Sequence, residues 1–175
     1  MPHIIRDRWW LPFVVHGSIV ATAVGLGLLS WFIAAPIKTR LHETIPGQRL
    51  TVLATPDIAI SLDADSSVAV TSTEPSGIEL LRGNAFFDIR GNQPGKLNLK
   101  VDTTYIRDTG TRFSVSKRTG GGSVAVANGQ VEILVKTGTY LVGARERADF
   151  DGIQVTGQRV IADTEIAPWR HAERY

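Results

Sequence analysis

Residues 78–89 read Ile-Glu-Leu-Leu-Arg-Gly-Asn-Ala-Phe-Phe-Asp-Ile, and this stretch decides the fold. Ile78 and Leu80 lie two apart, Gly83 interrupts, and the run that follows carries two adjacent aromatics, Phe86 and Phe87. Neighbouring side chains on a strand point to opposite faces, so the two rings cannot share one. A sheet buried on both sides at this point, or a β-bulge, accounts for them.

The same period of two extends in both directions. Ile58, Ile60 and Leu62 alternate, as do Val68 and Val70, and then Leu97, Leu99 and Val101. Phe113 with Val115, Val124 with Val126, and Val131 with Ile133 and Val135 follow the same rule. Alternation of this kind marks strands with one face buried. Turn signals such as Pro46-Gly47, Pro56-Asp57, Pro75-Ser76-Gly77, Gly91-Asn92, Asn128-Gly129 and Thr137-Gly138 separate the runs. No apolar stripe of helical period and length occurs between residues 41 and 165. The pattern predicts an all-β domain, either a two-sheet sandwich or a solenoid-like stack of short antiparallel strands.

The N-terminal part differs. The chain has 175 residues with 19 Lys+Arg and 17 Asp+Glu, a net charge of +2. Yet residues 9–37 hold no charged side chain, a gap of 29 residues, so all 36 charges fall in the other 146. At about 1.5 Å per residue, roughly 20 apolar residues cross a hydrocarbon core. Trp9 and Trp10 stand at one end, Trp31 and Phe32 at the other, and Pro36 ends the segment. Aromatic residues favour the headgroup layers. The rival is a cleaved leader ending at Ile33-Ala34-Ala35, but the segment is nearly twice the usual leader length and Pro36 would follow the cut, so a single transmembrane α-helix is expected. The expected organisation is a cytoplasmic tail (1–8), the helix (9–36), a linker (37–48), the β domain (49–160) and a C-terminal tail (161–175).

Within the helix, Gly17, Ala21 and Gly25 recur every four residues on one face, where small side chains let a second helix approach closely. His16 lies about 10 Å inside the membrane boundary. With no second ionisable group in the segment, it reads as a neutral partner in helix packing. These four residues form the candidate helix-packing interface. Arg6 and Arg8 on one side balance Lys38 and Arg40 on the other, so charge alone does not orient the helix.

Catalytic and metal-binding patterns are absent from the sequence. The four histidines are far apart in the chain and there is no cysteine, so no metal-ligand spacing occurs. Asp63-Ala64-Asp65 reads as a solvated turn, because no further oxygen ligands follow at loop spacing. Asp88 and Glu132 form an acid/base pair only if the fold joins them. Gly120-Gly121-Gly122 opens no helix and reads as a flexible hairpin tip, not a phosphate loop. Tyr105, Arg107 and Arg112 are candidates for a surface patch. A net charge of +2 supplies no field for nucleic acid. No enzyme, cofactor, metal or small-molecule substrate is expected.

Several blocks, in order, resemble the FecR family of bacterial inner-membrane regulators. Ser61-Leu62-Asp63-Ala64-Asp65-Ser66 is similar to the family's Leu-Asn-x-x-Ser turn. Residues 79–89, with Gly83, Phe86 and Phe87, resemble its Leu-x-x-Gly-x-Ala-x-Phe-x-Val segment. Gly110-Thr111-Arg112-Phe113-Ser114-Val115 resembles Gly-Thr-x-Phe-x-Val, and residues 124–131, with Gly129, resemble Val-x-Val-x-x-Gly-x-Val. Trp169-Arg170 is similar to the family's Trp-Arg after the β domain. The resemblance covers about residues 44–170.

It implies a periplasmic β domain tethered by one helix, with the N-terminus cytoplasmic. Such proteins relay a signal from a TonB-dependent outer-membrane receptor to a cytoplasmic sigma factor, typically for iron uptake. Two departures shape the expectation. The eight residues before the helix are short for a sigma-binding domain, and six residues follow Trp169 where the family often has a small α/β domain. The expected function is non-enzymatic binding of a protein partner, in the membrane or periplasm, for signalling or regulation. A single-pass accessory subunit stabilising a larger inner-membrane complex is the alternative, and a glycan-binding or cell-wall-hydrolysing module is the third.

Overall fold

The computed structural model describes residues 38–71, 76–91, 97–108 and 110–170. The apolar segment 9–36, with His16, Gly17, Ala21 and Gly25, lies outside the described residues. Among the described residues no helix is long and apolar enough to cross a membrane.

Within those residues two seven-stranded sheets form. In spatial order the first holds β1 (Thr39–Glu43), β4 (Ser67–Thr71), β5 (Ser76–Arg82), β7 (Leu97–Val101), β8 (Thr104–Asp108), β11 (Gln130–Val135) and β12 (Gly138–Gly143). The second holds β14 (Val155–Val160), β13 (Glu146–Phe150), β10 (Gly121–Asn128), β9 (Arg112–Arg118), β6 (Asn84–Ile89), β3 (Ile58–Leu62) and β2 (Leu50–Thr55). From β2 onward the chain lays successive hairpins, or the single strand β6, on the two sheets alternately. The result is a two-sheet sandwich, the first of the two architectures expected.

One pairing departs from the antiparallel expectation. β5 and β7 run parallel, with Ile78 opposite Leu99. The physical reason is the excursion of β6 into the other sheet. It reverses the chain between two neighbours and acts as a crossover connection, which parallel strands require.

The alternating residues read from the sequence form the core. Ile58, Ile60, Leu62, Val68, Ile78, Leu80, Leu97, Leu99, Val101, Val115, Val124, Val126, Val131 and Ile133 all belong to one buried cluster between the sheets. Phe87 and Phe113 face each other across β6 and β9 and stack with centroids 5.1 Å apart. Such pairs add roughly 0.5–1.5 kcal/mol to the area they bury.

Three segments differ from their sequence reading. Residues 37–48, expected as a linker, contain β1, which pairs with β4. Its single aliphatic residue, Leu41, is 56% exposed, so this edge strand carries no alternating signal. Residues 161–170, expected as part of a C-terminal tail, hold 3-10 turns at Asp163–Glu165 and Pro168–Arg170. Of the three consecutive glycines, only Gly120 belongs to the β9–β10 turn. Gly121 and Gly122 are strand residues lying under Phe150, where a Cβ on Gly121 would stand 2.1 Å from the Phe150 carbonyl oxygen.

Candidate functional site

The motif residues sit where the chain changes sheet. At Gly83 it passes from β5 to β6, and at Gly129 from β10 to β11. Each glycine has a positive φ, 78° and 83°, a region that costs other residues energy. Each is also stacked on a neighbouring corner. A Cβ on Gly83 would lie 2.3 Å from Ser66 Oγ and 2.7 Å from the Asp65 carbonyl oxygen. A Cβ on Gly129 would lie 2.5 Å from Thr111 Cγ2 and 2.9 Å from the Gly110 carbonyl oxygen.

Hydrogen bonds lock both corners. Ser66 Oγ accepts the Asn84 N–H at 2.9 Å, and Thr44 Oγ1 accepts the Ser66 N–H at 2.9 Å. The buried Asp108 carboxylate accepts the Gly110 N–H at 2.9 Å and the Thr111 hydroxyl. Gly83, Gly110, Thr111 and Gly129 therefore fix the strand crossings, while Phe87 and Phe113 fill the core between them.

The other sequence candidates stay apart. Asp63 bonds Arg49 at 3.2 Å and Asp65 bonds Arg82 at 3.1 Å, so each aspartate of that turn faces an arginine. Asp88 and Glu132 lie on different sheets, each flanked by residues that point into the core, and so face away from one another. Tyr105 and Arg107 project from the first sheet and Arg112 from the second. Among the described residues no three metal-ligating side chains converge.

The two-sided burial offered as one reading of Phe86-Phe87 takes the form of a second buried layer, on the outer face of the second sheet, whose other members the sequence did not locate. Phe86, Ala125, Ile161, Ile166 and Ala167 form it, with Ala127 and Trp169 packed alongside. Residues 161–170 cross this face as a strap. Its backbone is tied down by the Ile161 N–H to the Arg145 carbonyl at 2.8 Å. Its side chains are tied by Arg145–Asp163 at 3.2 Å and by Arg159–Glu165 at 3.1 Å. The Ala162 N–H, bonded to Glu165, holds that carboxyl below its ordinary value, with Arg159 adding to the effect. Trp169 lies under Arg49, 5.8 Å from its guanidinium, and Arg170 stacks on Phe86 at 3.8 Å. The paired Trp-Arg is thus the clasp that closes the strap.

Beside the clasp opens a groove of about 290 Å³. Phe86, Ala127 and Ile166 form its apolar surface, and Arg112, Arg145, Arg170 and Asp163 its charged rim. Arg145 and Asp163 come from segments with no motif, so only the long-range fold assembles this rim.

Comparison with known proteins agrees with the fold. A family model described as "FecR protein" matches residues 40–132, from β1 into β11. Two crystal structures of a proposed anti-sigma factor from Parabacteroides distasonis superpose with TM-scores of 0.63 and 0.64, each at 16% identity. The matches cover 73% and 75% of this chain but 62% and 64% of those proteins, so this chain spans less than two thirds of their length. No curated protein matches at a significant level.

Proposed function

The chain belongs to the FecR protein family, and from that premise we propose that it is a regulatory, non-enzymatic protein of the bacterial envelope. Its apolar segment, residues 9–36, anchors it in the inner membrane with the N-terminus in the cytoplasm. The β domain stands in the periplasm and binds a protein partner. By family resemblance the regulated process is of the iron-uptake type.

The observation that carries this reading is the family match over residues 40–132, laid on a domain whose matching residues are structural corners and core. The hydroxyls of those corners, Ser66 and Thr111, are buried and committed to hydrogen bonds that hold the chain. What the domain offers is rigid, exposed sheet surface, the material of a docking module.

The test is deletion of the β domain (residues 38–175) from the chromosome, followed by transcript measurement. Altered expression of an outer-membrane receptor gene is the expected result. Unchanged transcripts, together with a constant-ratio complex of this chain and an integral-membrane enzyme, would replace regulation with an accessory-subunit role. Fusing a reporter active only in the periplasm at Tyr175 checks the orientation, and an inactive fusion would overturn it. Replacing Gly17 and Gly25 by Leu checks the helix face. Loss of partner association is expected, and unchanged co-purification would remove the face from the interface.

A further inference from the structure

We propose that the groove between the strap and the second sheet is a docking site for an acidic segment of the partner protein. There a carboxylate would engage Arg112 and Arg170 beside an apolar side chain seated against Ala127. The proposal rests on the reading that this domain binds a protein.

Charge is the first argument. Three guanidiniums and one carboxylate line the groove. Asp163 pairs with Arg145 in an exposed ion pair, their side chains 67% and 69% accessible. Such pairs are weak and open to exchange. Arg112 and Arg170 have no carboxylate partner among the described residues. Asp88 stands opposite Arg112 in the β6–β9 ladder. The groove lining therefore carries three positive charges against one negative.

Preorganisation is the second. Stacking on Phe86 holds the Arg170 guanidinium flat, and a stacked guanidinium keeps its edge N–H groups available for a two-pronged bond to a carboxylate. Arg112 is fixed at its base by the β9 ladder to β6 and β10.

The third argument selects a peptide over a phosphate. Phosphate sites are commonly built from free backbone N–H groups. Here the nearby amides are already bonded to carbonyls: Arg145 to Val126 at 2.8 Å, Ile166 to Asp163 at 3.2 Å, and Arg170 to Ala167 at 2.9 Å. What remains is guanidinium forks around an apolar floor. That surface matches an acidic side chain next to a hydrophobic one.

The experiment uses the full chain, nitrogen-15 labelled, in detergent micelles. The probe is a blocked hexapeptide with two Glu flanking one Phe, compared with its Gln counterpart and with inorganic phosphate. Saturable shifts of the Arg112 and Arg170 side-chain N–H signals are expected with the acidic peptide. The Gln peptide should bind about tenfold more weakly, as expected when charge-assisted bonds are lost. Arg112→Gln, a change on an exposed and rigid strand position, should weaken the acidic peptide by a similar factor without altering the thermal midpoint. Arg170→Gln serves as a second variant. Equal binding of the two peptides, phosphate binding as tight as the acidic peptide, or undiminished binding by Arg112→Gln would each overturn the proposal. In cells, regulation preserved in Arg112→Gln but lost on deletion of the β domain would sink the groove and leave the regulatory reading intact. Regulation unaffected by that deletion would sink the reading itself.

Discussion

Phe86 and Phe87, adjacent in β6, are buried on opposite faces of the same sheet. Phe87 stacks on Phe113 inside the sandwich, with centroids 5.1 Å apart. Phe86 lies outside it, with the Arg170 guanidinium 3.8 Å from its ring centre. The two rings have similar burial, 5% and 0% exposed, but different neighbours, and removing each should have a different consequence. Phe87→Ala leaves a cavity between two sheets that cannot collapse, at a cost of about 3–5 kcal/mol in global stability. Phe86→Ala should cost about 1.5–3 kcal/mol, the transfer value of the ring, because the strap can settle or detach. Hydrogen exchange distinguishes them. Phe87→Ala should lower protection throughout the sandwich, and Phe86→Ala should do so chiefly across residues 161–170. Equal global loss from both would mean that the strap is not a separable unit.

Gly83 and Gly129 should resist substitution more than glycines of similar φ in open turns. Alanine at either corner combines a left-handed backbone with a clash against the next corner, and the clashing atoms include backbone oxygens. The expected loss is about 2–5 kcal/mol, the sum of conformational and overpacking costs. Gly120 has a comparable φ of 79° with nothing within 4 Å of a Cβ, so Gly120→Ala should lose only about 1–2 kcal/mol. Urea midpoints at constant slope give all three values. A Gly83→Ala midpoint matching that of Gly120→Ala would show that the corner yields.

These residues also show how far the sequence could be read. The adjacency of Phe86 and Phe87 already narrowed the choice to burial on both sides of a sheet or a bulge, and the unshifted β6–β9 register leaves the first. That Gly83 and Gly129 end strands was visible too. Their partners, Ser66 and Thr111, were not, since these contacts are set by how distant corners stack. β1 escaped because an edge strand with Leu41 as its one aliphatic residue has no buried face to give a period. The strap escaped for a related reason. Ile161, Ile166, Ala167 and Trp169 follow neither strand nor helix spacing, as expected of a segment made of short 3-10 turns. The parallel pairing of β5 and β7 depends on where β6 goes, which local pattern does not encode.

Asp108 and Thr111 should behave as one unit. Asp108 is 1% exposed and Thr111 is equally buried, and the threonine hydroxyl donates to the carboxylate. Thr111→Val keeps the shape and removes a donor from a buried carboxylate, at an expected cost of about 1–3 kcal/mol. Asp108→Ala strands the Gly110 N–H and the Thr111 hydroxyl at a similar cost. Because each substitution breaks the same bond, the double variant should be less damaging than the sum by about 1 kcal/mol, as read from a denaturation cycle. Strict additivity would show that the bond contributes nothing to the corner.

Acid should loosen the strap before it unfolds the domain. The Glu165 carboxyl lies below its ordinary value of 4.5, chiefly because it accepts the Ala162 N–H and secondarily because Arg159 bonds it. A carboxyl whose folded value is depressed contributes stability above its unfolded value, and that contribution is lost as pH falls through the folded one. The window therefore opens near pH 4.5 and extends below it. Glu165→Gln removes the titration while keeping an oxygen able to accept the Ala162 N–H. A variant with Trp169 as its sole tryptophan reports the strap by fluorescence, since Trp169 sits under Arg49 in the closed arrangement. Its emission should shift below pH 4.5 while far-ultraviolet circular dichroism stays constant, and Glu165→Gln should flatten the shift. Simultaneous loss of both signals would place the acid-sensitive group in the sandwich and not in the strap. An undiminished shift in Glu165→Gln would remove Glu165 from the acid response.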